Sequence, residues 1–120
     1  MTIGADATSV GNQLTLAGGS ISATTFVLGA GNTVAPIVSA SGVTAMAVSG
    51  TATLAAGSTV KPMAAANAVC GKFAVLTAGT LVDNGIMLDS SADSNRWRVS
   101  VVGNTLYLQY RETRTLIQIR

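Results

Sequence analysis

Of the seven basic and five acidic residues in this 120-residue chain, only Asp6 lies in the first sixty positions. Lys61, Lys72, Asp83, Asp89, Asp93, Arg96, Arg98, Arg111, Glu112, Arg114 and Arg120 all follow the midpoint. Soluble domains ordinarily carry about a quarter of their residues as charges, which hold a solvent shell around the fold. A half without them is covered by something, or is solubilised by hydroxyls and bare backbone. Here that half is Gly, Ala, Ser, Thr and Val, and it holds nine of the thirteen glycines. The constraint is strong: helices solvated by charged faces are not available to residues 1–60.

What remains is β-structure. Short β-prone runs, Gln13 to Leu16, Thr25 to Leu28, Val43 to Val48 and Thr51 to Leu54, are separated by glycines. The tetrads Gly11-Asn12-Gln13-Leu14 and Gly31-Asn32-Thr33-Val34 stand twenty residues apart. A solenoid demands a sustained period, and the strict spacing fails by the third unit. Pro62 to Ala68 reads as one helical turn or a linker, too short for a helix that stands alone.

The carboxyl half is more explicit. Arg96 to Val102, then Gly103-Asn104, then Thr105 to Arg111 is an alternating run, a two-residue turn and a second alternating run. Such a turn fixes the register of a hairpin. Val102 faces Thr105, Val101 faces Leu106, Val99 faces Leu108 and Trp97 faces Tyr110. Trp97, Val99, Val101, Leu106, Leu108 and Tyr110 then share an apolar face, opposite Arg96, Arg98, Ser100, Tyr107, Gln109 and Arg111. Further strands are predicted at Lys72 to Thr77 and Arg114 to Ile119. Asn84-Gly85 reads as a second hairpin turn between Val82-Asp83 and Ile86-Met87. The fold class predicted is all-β: a small antiparallel sandwich or barrel over residues 69–120. An uncharged β-prone arm or assembly subdomain over 1–60 precedes it, with a linker at 61–68.

Catalytic chemistry finds little purchase. There is no histidine, the commonest general base and metal ligand. Cys70 is the single cysteine, so no internal disulfide forms, and its neighbours Ala68, Val69 and Gly71 point to a small buried hydrophobe. Asp89 to Asn95 places oxygens at alternate positions, but Ser94 and Ser100 stand where a calcium loop needs glycine and glutamate, so the segment reads as a solvated turn. Gly71-Lys72 is followed by Phe73, not the Ser or Thr of a phosphate loop. The sequence therefore predicts no catalytic, cofactor-binding or metal residues, and no cofactor. Trp97 is a core anchor. Arg96, Arg98 and Arg111 form a solvated basic stripe on the outer hairpin face, with an acidic protein as its next reading and nucleic acid a distant one. Thr24-Thr25 and Thr51-Ala52-Thr53 hint at a flat threonine array without a register to join them. No stretch of about twenty apolar residues occurs, and the start lacks the basic and apolar regions of a signal peptide.

Gly79-Thr80-Leu81-Val82 and the hairpin Trp97-Arg98-Val99-Ser100-Val101-Val102-Gly103-Asn104-Thr105-Leu106-Tyr107-Leu108-Gln109 resemble small bacteriophage head-decoration (cement) and head-fibre proteins. The resemblance covers about half of the chain. It implies a non-enzymatic structural protein on the virion surface, made in the host cytoplasm. Its partners would be the major capsid protein and itself, as a homotrimer, with no nucleic acid and no membrane. A fibre or receptor-binding module that contacts host surface glycan is the alternative.

Overall fold

The computed structural model describes residues 2–3, 11–16, 21–40 and 42–111. The strands are β1 (Thr2–Ile3), β2 (Gln13–Leu16), β3 (Ile21–Ala23), β4 (Phe26–Leu28), β5 (Thr33–Val38), β6 (Met46–Leu54), β7 (Thr59–Val60), β8 (Met63–Ala64), β9 (Gly71–Asp83), β10 (Met87–Leu88), β11 (Trp97–Val102) and β12 (Thr105–Tyr110). The chain passes back and forth between a larger mixed sheet and a smaller parallel one. One has the order β1-β4-β6-β9-β12-β11, with β3 also on β6; the other has the order β10-β7-β5-β2, with β8 on β5.

Among the paired strands, β12 is antiparallel to β9 and to β11, and every other pair is parallel. Parallel neighbours need a long return connection. Here that return is a strand of the opposite sheet. The chain therefore winds as a solenoid. One turn holds β2 to β4, the next β5 and β6, the third β7 to β9, and the fourth opens with β10 and ends in the hairpin. The expected antiparallel sandwich or barrel is corrected accordingly: among the described strands, antiparallel pairing is confined to β9, β12 and β11. What reads locally as strand, turn, strand is mostly strand, corner, strand, with the second strand entering the other sheet.

Both glycine tetrads occupy one corner of this winding. Gln13 and Leu14 pair with Thr33 and Val34, which pair with Thr59 and Val60, which pair with Met87 and Leu88. The corner glycines are Gly11, Gly31, Gly57 and Gly85, with φ of 79°, 78°, 87° and 130°. That left-handed region favours glycine. Gly11 N–H donates to Gly31 O (2.9 Å), and Gly31 N–H donates to Gly57 O (3.0 Å). The tetrads are thus a true repeat whose spacing drifts from 20 to 26 to 28 residues, the differences between positions 11, 31, 57 and 85. Insertions fall between corners, which defeats a search for a fixed period.

Asn84-Gly85 is the fourth of these corners and not a hairpin turn. The Asp83 carboxylate Oδ1 accepts from the backbone N–H of Gly85 (3.0 Å) and Ile86 (2.9 Å). Asn84 N–H donates across the rung to Leu54 O (2.8 Å). Residues 61–68, expected to be a linker or one helical turn, lie inside the winding. Lys61 N–H donates to Val34 O (2.9 Å), β8 pairs with β5, and Ala65 N–H donates to Val38 O (2.8 Å). Buried Pro62 has no N–H to give, and the strand of this rung is split around it into β7 and β8.

The core lies between the two sheets and runs unbroken along the axis. Leu14, Val34, Val60 and Leu88 form one inward column, and Phe26, Ala52 and Leu81 form another. The large Phe26 above the small Ala52 fills the interior without a clash. The described residues of the first sixty positions are therefore wall and core of the same stack as the charged half.

The terminal hairpin has the predicted register at every position from Trp97 with Tyr110 to Val102 with Thr105. Trp97, Leu106, Leu108 and Tyr110 are buried, and the Trp97 and Tyr110 rings lie 4.4 Å apart at 31°. Gly103 has φ of 60° while Asn104 does not have positive φ, the pattern of a type II′ turn. The strand predicted at Lys72 to Thr77 extends to Asp83 because its second half continues on β6. The strand predicted at Arg114 to Ile119 lies outside the described residues.

Candidate interaction surfaces

The described charged residues all belong to the third turn or later: Lys61, Lys72, Asp83, Asp89, Asp93, Arg96, Arg98 and Arg111. The sequence asymmetry is thus an asymmetry along the solenoid axis. The described residues of the first two turns are charge-free, and the charges gather toward the hairpin end.

The outer face of the larger sheet carries the contrast. Ser22, Ala47 and Thr77 stand on adjacent strands, as do Val27, Thr53 and Val82, and Thr51 stands beside Thr80. Their inward neighbours Phe26, Met46, Val48, Ala52 and Leu76 fill the core. Strand alternation alone puts the hydroxyls outside. Of the threonines expected as an unregistered hint, Thr51 and Thr53 fall on this face, Thr24 and Thr25 lie outside any strand, and valines flank Thr53 in the Val27, Thr53, Val82 column. An open groove crosses this face. It is lined by Ser22, Ala23, Thr24, Ala47, Val48, Ser49, Thr77, Ala78 and Gly79. The crease forms where the register of β6 on β9 shifts between Val48 and Thr51. Gly50 and Gly79 make it possible: a Cβ on either would come within 2.6 Å of Thr24 O or 2.7 Å of Ser49 O.

At the hairpin end the same outer face turns basic. Lys72 on β9, Gln109 on β12 and Arg98 on β11 stand directly opposite one another in one row. The Lys72 ammonium lies 4.7 Å from the centroid of the Tyr107 ring, one diagonal step away. Beyond this row, Arg111 N–H donates to Arg96 O (2.9 Å), Arg111 Nε donates to Asn95 O (3.1 Å), and Arg96 lies 3.9 Å from the Asp93 carboxylate. The predicted stripe of Arg96, Arg98 and Arg111 is brought together, and Lys72 joins it. Sequence reasoning missed Lys72 because its neighbour Gln109 lies 37 positions away, the difference of 109 and 72. Neither Lys72 nor Arg98 has a carboxylate partner among the described residues.

The loop from Asp89 to Asn95 is built from local turns. Asp89 Oδ2 accepts from the Ser91 hydroxyl and backbone N–H, and Asp93 Oδ1 accepts from Asn95 N–H (2.9 Å). The Ser91 hydroxyl and then its N–H hold the Asp89 carboxyl below the usual carboxylate value, with help from Lys61 and Thr59. Among the described residues no group of three or more Cys, Asp and Glu is placed to hold a metal ion. Cys70, expected to be buried, is exposed. It lies between the turn at Ala66-Asn67 and the start of β9, outside any strand, so its apolar neighbours do not enclose it. No family model, curated protein or solved structure matches this chain.

Proposed function

We propose that this chain is a non-enzymatic structural protein of a virion, which decorates and stabilises a phage capsid by lying across major-capsid subunits. The observation that supports this reading is the charge-free outer face of the first two turns, with Ser22, Val27, Ala47, Ser49, Thr51 and Thr53 displayed on a regular sheet. Such a face leaves no charge to desolvate on docking, and its short side chains lose little rotamer freedom. Stable docking buries roughly 1,200–2,000 Å² in total, an area that a sheet face spread over neighbouring subunits supplies, and many copies on one shell add avidity. Self-association as a homotrimer belongs to the same proposal.

The test is to add Ser49→Glu and Thr53→Glu together and measure binding to undecorated heads. The reading predicts that the doubly charged variant keeps its melting temperature within a few degrees and loses head binding. Wild-type binding by that variant overturns the assignment of the face, and absence of the chain from purified virions overturns the function. A second reading, a fibre or receptor-binding module that contacts host glycan, is favoured by the Lys72, Gln109, Arg98 row with Tyr107 beside it.

A further inference from the structure

We infer that the outer face of the hairpin end is a binding surface for an acidic polysaccharide, one that carries carboxylates at regular intervals along an extended chain. The inference rests on the glycan-contact reading and not on shell docking, which uses the other end of the molecule.

The argument starts from the strand order. β9, β12 and β11 are consecutive neighbours, so Lys72, Gln109 and Arg98 form a straight row across them. Neighbouring strands lie about 4.8 Å apart, which sets the Lys72 and Arg98 backbones about 10 Å apart with an amide midway. A cation, an amide and a second cation at equal steps suit a ligand with charge, hydroxyl and charge at equal steps. Gln109 offers both a donor and an acceptor, which a sugar hydroxyl satisfies and a second carboxylate does not. Tyr107, half-buried and outward on the adjacent row with Ala74 and Ser100, gives an apolar patch beside the cations. Lys72 is held over that ring, so it is positioned before a ligand arrives. Arg96 and Arg111 extend the basic surface past Arg98, and of the described carboxylates only Asp93 comes near it. Asp83 and Asp89 are engaged at the corner and in the loop beside the smaller sheet. The row is at the sheet surface and not in a cleft, which suits the side of a polymer more than a small free sugar. A duplex nucleic acid fits less well. Its closely spaced phosphates call for a broader basic patch than two rows.

The experiment uses the full chain in affinity gels and calorimetry with hyaluronate and polygalacturonate, with dextran as the neutral polysaccharide and polyglutamate and duplex DNA as other polyanions. Expected are binding to both acidic polysaccharides and none to dextran. The double variant Lys72→Gln, Arg98→Gln should lose at least about tenfold in affinity, since two charge-assisted contacts go. Lys61→Gln, a cation away from this face, should bind as wild type. All these side chains are exposed, and a thermal melt confirms that each variant is folded. Failure of the wild type to bind either acidic polysaccharide overturns the inference. Equal loss in Lys61→Gln does so too, as does equal or tighter binding of polyglutamate or DNA. None of these outcomes alters head binding, so the shell-docking proposal and this one fail separately.

Discussion

Asn32 is fully buried in the wall of the solenoid, and its amide joins two turns. Its Oδ1 accepts from the backbone N–H and the side-chain Nδ2 of Asn12, each at 3.0 Å. Its Nδ2 donates to Gly29 O (3.2 Å) and Ala30 O (3.1 Å) at its own corner. Ser58 takes the equivalent place one turn on and donates to Ala55 O at 2.6 Å. Asn32→Ala strands buried partners and should cost about 1–3 kcal/mol in urea unfolding, while exposed Asn12→Ala should cost under about 1 kcal/mol. Asp89 makes a prediction in pH. Its folded pKa is lowered from 3.8 by the Ser91 donors. Its contribution is therefore present above the unfolded value and lost as pH falls through the lowered folded one. Asp89→Asn should lower the melting temperature at pH 7, and the difference from wild type should close in acid below the carboxylate range.

Among the elements, the tip of the hairpin is held to the solenoid by one residue, beside the pairing of β12 with β9. The Asn104 backbone O accepts from Ala78 N–H (3.0 Å), its Oδ1 accepts from Leu81 N–H (3.1 Å), and its Nδ2 donates to Gly79 O (2.9 Å). These bonds lie just past Thr105 and Thr77, where the pairing of β12 with β9 ends. Asn104→Ala removes two of them and should cost about 1–2 kcal/mol. Hydrogen exchange should quicken at Leu81 while Leu108 N–H stays protected. The hairpin was legible in the sequence to the residue because its partners are joined by two positions, and Gly103 with alternating neighbours encodes turn and register together. The solenoid was not. Thr33 meets Gln13 and Thr59, 20 and 26 positions from it by subtraction, and no local signal announces such pairings. Of the four corner tetrads only Gly11-Asn12 and Gly31-Asn32 share their second residue; Ser58 and Ile86 replace it in the others. Asn84-Gly85 misled for a related reason: a corner glycine and a hairpin glycine need the same left-handed φ. The basic stripe was half legible, since Arg96, Arg98 and Arg111 are local to the hairpin and Lys72 arrives only through β9.

For the molecule as a whole, the division that matters runs along the axis. Successive turns share one core and one hydrogen-bonding pattern, and they differ in what they show to solvent. The early turns show hydroxyls and methyls, and the last turns show cations and a carboxylate loop. The hairpin closes the far end with Arg98 and Ser100 outward on the edge strand β11, where charge opposes further strand pairing. Under the proposed function, the uncharged face rests on the shell and the charged one is left outward. All of this depends on the parallel register that makes the described residues between 11 and 60 part of the stack. Thr33 and Thr59 test it directly, because their hydroxyl oxygens lie 2.9 Å apart across β5 and β7. Neighbouring strands about 4.8 Å apart fall within the Cα separation that a disulfide spans. In a Cys70→Ser background, the pair T33C and T59C should oxidise to an intramolecular disulfide in the folded chain, and the pair T33C and T77C, on opposite sheets, should not. A folded T33C and T59C variant that stays reduced, or equal cross-linking of the two pairs, would contradict the parallel stack.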